Sequence, residues 1–269
     1  MENKIKEIIK DILEKYNSNF REASEKILKA IEKHWEGIND IYKLLQDFSK
    51  YYDKVNILSI SLDYPPIDYI DPILLSEYFL EDLSEMNISE SWNNAMLCYF
   101  DEYHIENLEN DIKSYNIPQK DIDILIEIVN GYKNEYYFLV ITTLLTRIEG
   151  LFFKFFNYKG DTRGKIKGLV TETIKKNKNK DNYISSSKKA YDSVIDFYKK
   201  KLSKNFKYGD PNIMSDLKRH PIIHGYSNEY GTKINSIKLL LFYEYFYHSL
   251  CNLSKQDIID IKEKLNVTD

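Results

Sequence analysis

Apolar residues recur at three- and four-residue spacings along most of this chain, and that periodicity restricts it to helices. Ile5, Ile8, Ile9, Ile12 and Tyr16 form one stripe, and Phe20, Ala23, Ile27, Ala30 and Ile31 form a second. Ser18 or Asn19 suits the cap between them. Apolar–polar alternation flanked by hairpin turns is nearly absent, so the fold class expected is all-α. Further helices are read at 34–52, 73–86, 90–101, 102–115, 119–130, 132–156, 165–178, 183–202, 212–224, 233–252 and 255–265. Pro65, Pro66 and Pro72 interrupt the series, because proline lacks an N–H and clashes with the preceding turn. "NIP" at 116–118 is the best interior break, with Pro118 at a helix start. A boundary there divides the chain into 1–117 and 118–269.

A chain of 269 residues suggests one or two domains. Its longest apolar run, "YYFLVITTLL" from Tyr136, is about half of the ~20 residues that span a bilayer, and it continues into Arg147 and Glu149. A buried helix is expected there, and no membrane span. The N-terminal "MENKIKEIIKDILEKY" interleaves Lys with Glu and Asp, unlike a secretory signal. Cys98 and Cys251 lack CxxC spacing and are expected to be reduced, half-buried thiols of a cytoplasmic protein.

Charge is uneven. Between Lys159 and Lys207 stand fifteen Lys or Arg against five Asp or Glu, in a chain of formal net charge −4. A basic block beside an acidic remainder suits either a polyanion surface or a pair of solvated helices. The chain is rich in Lys and Tyr, so these carry little information, whereas its four Arg and five His carry more.

Those scarce residues converge in "RHPIIHGY", Arg219 to Tyr226. As a metal site, His220 and His224 have the i, i+4 spacing of two ligands on one helix face, but proline stands at 221 and no third ligand is near. As a helix end, Gly225 suits the left-handed C′ position and a nearby histidine suits the macrodipole. As a catalytic site, the planar fork of Arg matches two phosphate oxygens, and His exchanges protons near neutral pH. RNA supplies its own nucleophile in the 2′-hydroxyl, so cleavage by this route needs no metal and no enzyme nucleophile, and its expected products are a 2′,3′-cyclic phosphate and a free 5′-hydroxyl. DNA lacks that hydroxyl and is spared.

On these residues the chain resembles the HEPN superfamily, whose ribonucleases carry Arg-x(4–6)-His on a late helix of a helical bundle. "RHPIIH" fits that signature, His220 is the usual polar residue after the arginine, and "IIHG" is similar to the hydrophobic-His-Gly close of many members. The following "INSIKLLLFYEYFYHSL" reads as the amphipathic closing helix. Upstream, "YFLVITTLLTRIEGLFFKFF" resembles the early core helix of defence-type members, often acidic where this chain has Glu149. Tyr226 completes Arg-x4-His-x-Tyr, the form found in toxins paired with nucleotidyltransferase antitoxins, where the tyrosine can be adenylylated to silence the enzyme. The resemblance spans about residues 119–253.

The resemblance implies an all-α bundle, with a HEPN-like domain at 118–269 and an N-terminal helical extension at 1–117 that regulates, senses or binds a partner. It implies a metal-independent endoribonuclease in a toxin, abortive-infection or antiphage role. Arg219 and His224 would be catalytic, His220 would orient or contact the phosphate, and Glu149 would support Arg219 or His224. Lys165, Lys167, Lys175, Lys176 and Lys178 would hold the RNA backbone through contacts that weaken as salt rises. Tyr226 would be a regulatory position. A homodimer with a composite site is expected, since transphosphorylation benefits from a base and an acid on opposite sides of phosphorus. No cofactor is expected: no GxGxxG or GxxxxGK[ST] occurs. The partners expected are RNA, a second copy, and an antitoxin or phage-derived trigger. Two competing expectations remain: a non-catalytic HEPN-like module that binds RNA or protein, and a helical scaffold whose N-terminal half senses a partner. Trp35 and Trp92 read as core fillers, and His34 and His104 have no assigned role.

Overall fold

The computed structural model of the chain describes residues 56, 58–66, 88–161, 164–180, 188–204 and 217–267. Among the described residues the regular elements are helices and none is a strand, as the periodicity requires. In chain order they are α1 (Ile88–Tyr99), α2 (Ile105–Ser114), α3 (Gln119–Lys133), α4 (Tyr137–Phe155), α5 (Lys165–Lys180), α6 (Lys188–Phe197), α7 (Arg219–Ile223), α8 (Lys233–Cys251) and α9 (Lys255–Leu265). Five-residue π-helical segments follow α1 at Phe100–His104 and α6 at Tyr198–Leu202. The helices expected within 5–52 and at 73–86, with His34 and Trp35, lie outside the described residues.

The described residues fall into two compact units whose main division lies between His104 and Ile105, with 63–65 in the second and 188–190 in the first. In the first, Trp92, Met96 and Phe100 are buried, and the His104 ring packs 5.2 Å from Phe100. The second unit takes in α2, ahead of the Pro118 break, and carries the whole of the "RHPIIHGY" turn.

The core of the second unit is α8 laid along α4. Tertiary packing overrides the amphipathic reading of α8: from Ser236 to Tyr247 only Lys238 escapes burial. A helix apolar on all sides belongs inside, not on a surface. Phe246 meets Phe152 of α4 edge-on at 5.4 Å, and Phe242 stacks on Phe197 of α6 at 4.5 Å. Truncating such a buried ring costs about 3–5 kcal/mol. Thr232 caps α8 by accepting the Asn235 N–H at 3.1 Å. Ser254 and Asp257 form a reciprocal capping box that starts α9 at Lys255, where the periodicity places it.

Three local expectations are corrected. The break between α3 and α4 does not fall at Gly131, which is helical; a Cβ there would stand 3.1 Å from Val140, so glycine serves close helix approach. The chain reverses instead at Asn134–Tyr136, where Glu135 takes φ +62°. The helix read at 212–224 cannot run unbroken, because Leu217 and Lys218 are not helical; among its described residues, 217–224, only Arg219–Ile223 form a helix. Both cysteines are exposed rather than half-buried.

Candidate active site at the Arg219–His224 turn

Two residues fix the length of α7. Pro221 is its third residue, where an N–H has no partner within the helix, so proline costs nothing there and would break a helix that began earlier. At the other end Gly225 takes φ +69°. Tyr226 N–H donates to Pro221 O at 2.8 Å and Gly225 N–H to Ile222 O at 3.1 Å, the paired bonds of a Schellman motif. Pro221 and Ile222 are buried and anchor the turn, leaving Arg219, His220 and His224 partly or fully accessible.

The i, i+4 spacing sets the His220 and His224 rings on one face, with centroids 6.2 Å apart and planes within 7° of parallel. His220 is half-buried. Burial, then repulsion from Arg219, His224 and Lys167, holds its imidazole below the ordinary histidine range. It is therefore neutral at pH 7, with a nitrogen free of the proton. His224 is exposed at the helix end.

Arg219 reaches α4, where its Nη2 lies 2.6 Å from Oε2 of Glu149. Both side chains are mostly enclosed, at 22% and 16% exposure. Burial outweighs the attraction of the guanidinium and holds the Glu149 carboxyl above the usual carboxylate range. The Arg219 Nε is buried and, among the described residues, has no hydrogen-bond partner. The same is true of the phenol oxygen of Tyr198, on the π-helical segment after α6. Burial and the charge of Glu149 push that phenol up and Arg219 draws it down, so Tyr198 remains a neutral donor. An unpaired buried donor costs about 1–3 kcal/mol unless a water or ligand oxygen meets it. Sequence reasoning missed Tyr198: nothing marks it among 23 tyrosines.

The five lysines part company. Lys167 stands close enough to His220 to depress it. Lys165 donates to the Leu265 carbonyl at 2.6 Å, and Lys175 pairs with Glu172 on its own helix at 3.2 Å. Lys176 bridges Asp260 at 2.5 Å and Asp257 at 3.5 Å, and Lys178 pairs with Asp192 at 2.7 Å. Tyr226 is half-buried just past the turn. His248 packs against Tyr115 and Tyr247, on the face of α8 toward α2. Among the described residues no three His, Cys, Asp or Glu side chains converge as a metal-ligand set. No described helix is long and apolar enough to cross a membrane.

These features define a protein whose regular elements, among the described residues, are all helices, with two imidazoles and an arginine gathered on one short turn and a glutamate of α4 paired with that arginine. Compared with protein-family models, with characterised proteins and with solved structures, the chain matches none.

Proposed function

We propose that this turn is the active site of a HEPN-type endoribonuclease that cleaves RNA by attack of the 2′-hydroxyl, without a metal, in a toxin or antiphage role. The observation that carries the reading is the geometry of Arg219. Glu149 holds one end of its guanidinium, while Nε stays buried with no partner among the described residues, one and five positions from two parallel imidazoles. A phosphodiester at this place would receive its non-bridging oxygens on the Arg219 fork. A neutral imidazole takes the 2′-hydroxyl proton, the 2′-oxygen bonds to phosphorus, and the 5′-oxygen leaves with a proton from an acid. His224 has the exposure to touch the substrate, and His220, kept neutral, orients the phosphate or backs His224.

In-line displacement needs base and acid on opposite sides of phosphorus. The His220 and His224 rings share one helix face, so they approach from one side. A second copy of the chain, related by a two-fold axis beside the exposed His224, supplies the other. Cleavage of this kind is lethal to the cell that makes it unless gated, which gives an antitoxin or phage-derived trigger its place, with Tyr226 as a position for modification.

A second reading, a non-catalytic module that binds RNA or protein, is favoured by the same charge pairs. Glu149 neutralises Arg219, and three of the five lysines face carboxylates of their own chain. Substitution separates the two. Arg219→Ala and His224→Ala are each expected to lower cleavage about 100-fold or more while the protein still unfolds cooperatively. Cleavage retained by both variants overturns the ribonuclease reading.

A further inference from the structure

The other side of α4 carries a second set of side chains that the ribonuclease reading leaves unused. A cavity of about 630 Å³ opens between the start of α3, the middle of α4 and the last turns of α8. Much of its wall is apolar, from Ile117, Leu151, Phe155, Leu250 and Leu253. Its size falls in the range of about 300–1,000 Å³ that small-molecule sites occupy.

Charge in the wall is unbalanced. Lys154 Nζ donates to both oxygens of Asp121, at 2.5 and 2.6 Å. That leaves Arg147 with a loose contact to the same carboxylate, 3.7 Å from Nη1, beyond hydrogen-bond length. The Arg147 Nε is buried and, among the described residues, has no hydrogen-bond partner. Two cations against one carboxylate leave a positive charge and an unmade bond beside an apolar chamber.

Gly150 adds an independent observation. It sits inside α4, takes no positive φ, and lines this cavity. A Cβ built on it meets nothing within 4 Å. Neither close packing nor backbone geometry calls for glycine there, and glycine costs about 1 kcal/mol against alanine in a helix interior. What its missing side chain leaves open is the chamber itself.

We propose that this cavity binds a small amphiphilic anion, with an apolar body against Leu151, Phe155 and Leu250 and a single carboxylate, sulfonate or phosphate on the Arg147 fork. The planar guanidinium suits such a group, and the low polarity of the chamber strengthens the contact. The site uses no residue of the Arg219 turn and stands whether or not the chain cleaves RNA. Cys251, exposed and part of the same wall, is a built-in reporter of occupancy.

The test uses the full chain and 8-anilinonaphthalene-1-sulfonate, an aromatic body with one sulfonate. The dye is expected to bind saturably at one site per chain, to be displaced by decanoate, and to slow alkylation of Cys251 by N-ethylmaleimide. Gly150→Leu projects a helix-favouring side chain into the chamber and is expected to abolish binding in a protein at least as heat-stable as the parent. Arg147→Gln is expected to weaken binding about tenfold or more. Saturable binding that survives Gly150→Leu overturns the proposal. So does the absence of saturable binding to a natural chain that unfolds cooperatively, or Cys251 labelling that saturating dye leaves unchanged.

Discussion

In the proposed site, Arg219 has to be held in place and yet keep hydrogen-bonding capacity for a ligand. Glu149 provides the holding, and at 16% exposure it provides it in a setting where a lone guanidinium is costly. Glu149→Ala is expected to destabilise the fold by about 2 kcal/mol, because it strands a half-buried cation, and to depress RNA cleavage as well. Chemical denaturation gives the first quantity and a cleavage assay the second. Arg219, His220 and His224 were legible in the sequence because Arg and His are scarce and lie together. Glu149 was legible only through family resemblance, since its partner is seventy residues away. Tyr198 was not legible at all, and neither were the carboxylates that hold the lysines. Asp192, Asp257 and Asp260 come from α6 and α9, and helix-to-helix neighbours are a property of packing, not of spacing along one stripe.

At the scale of an element, α7 depends on its two ends. Gly225→Ala places a side chain at φ +69° and is expected to cost about 1–2 kcal/mol, seen as a lower Tm. Because the Schellman bonds position the residue after Ile223, the same change is expected to reduce cleavage more than it reduces stability. Gly225→Asn, which tolerates the left-handed region, should be milder on both counts. Element boundaries were legible where a side chain enforces them. The start read at Lys255 coincides with the Ser254–Asp257 box that the structure shows, and Gly225 marked the end of α7. Other features were misread for physical reasons. Periodicity carried a helix through Leu217 and Lys218, although Pro221 fits only within the first turn. The amphipathic reading of α8 expected a wet face, whereas even Glu244 is only 3% exposed.

For the whole molecule, helical class followed from the 3.6-residue period alone, because that period buries a stripe only on a helix. Which helix became the centre did not follow, since α4 is the more apolar of the two and α8 is the one buried on all sides. Two histidines couple the fold to pH. Burial holds both His220 and His248 below the ordinary range, so the unfolded chain binds more protons than the folded one as pH falls through about 6.5. Their contribution is fully present above that pH and is lost on acidification. Tm is therefore expected to fall between pH 8 and pH 5.5, with a shallower fall in His220→Gln. Glu149, held high, acts in the opposite sense at lower pH, so the difference between parent and variant isolates the histidine. Equal slopes would remove His220 from this linkage. Of the five lysines expected to hold RNA, Lys167 is the one whose charge acts on His220, and Lys167→Ala is expected to reduce the salt dependence of RNA affinity by about one unit of slope.

The measurement that bears most directly on the proposed activity is incubation of total RNA in EDTA with the natural chain and with His224→Ala, followed by analysis of the new ends. The result expected is 2′,3′-cyclic phosphate and 5′-hydroxyl ends from the natural chain, absent with the variant. Ends carrying a 3′-hydroxyl and a 5′-phosphate, or cyclic ends that persist in His224→Ala, would contradict 2′-hydroxyl attack at this turn.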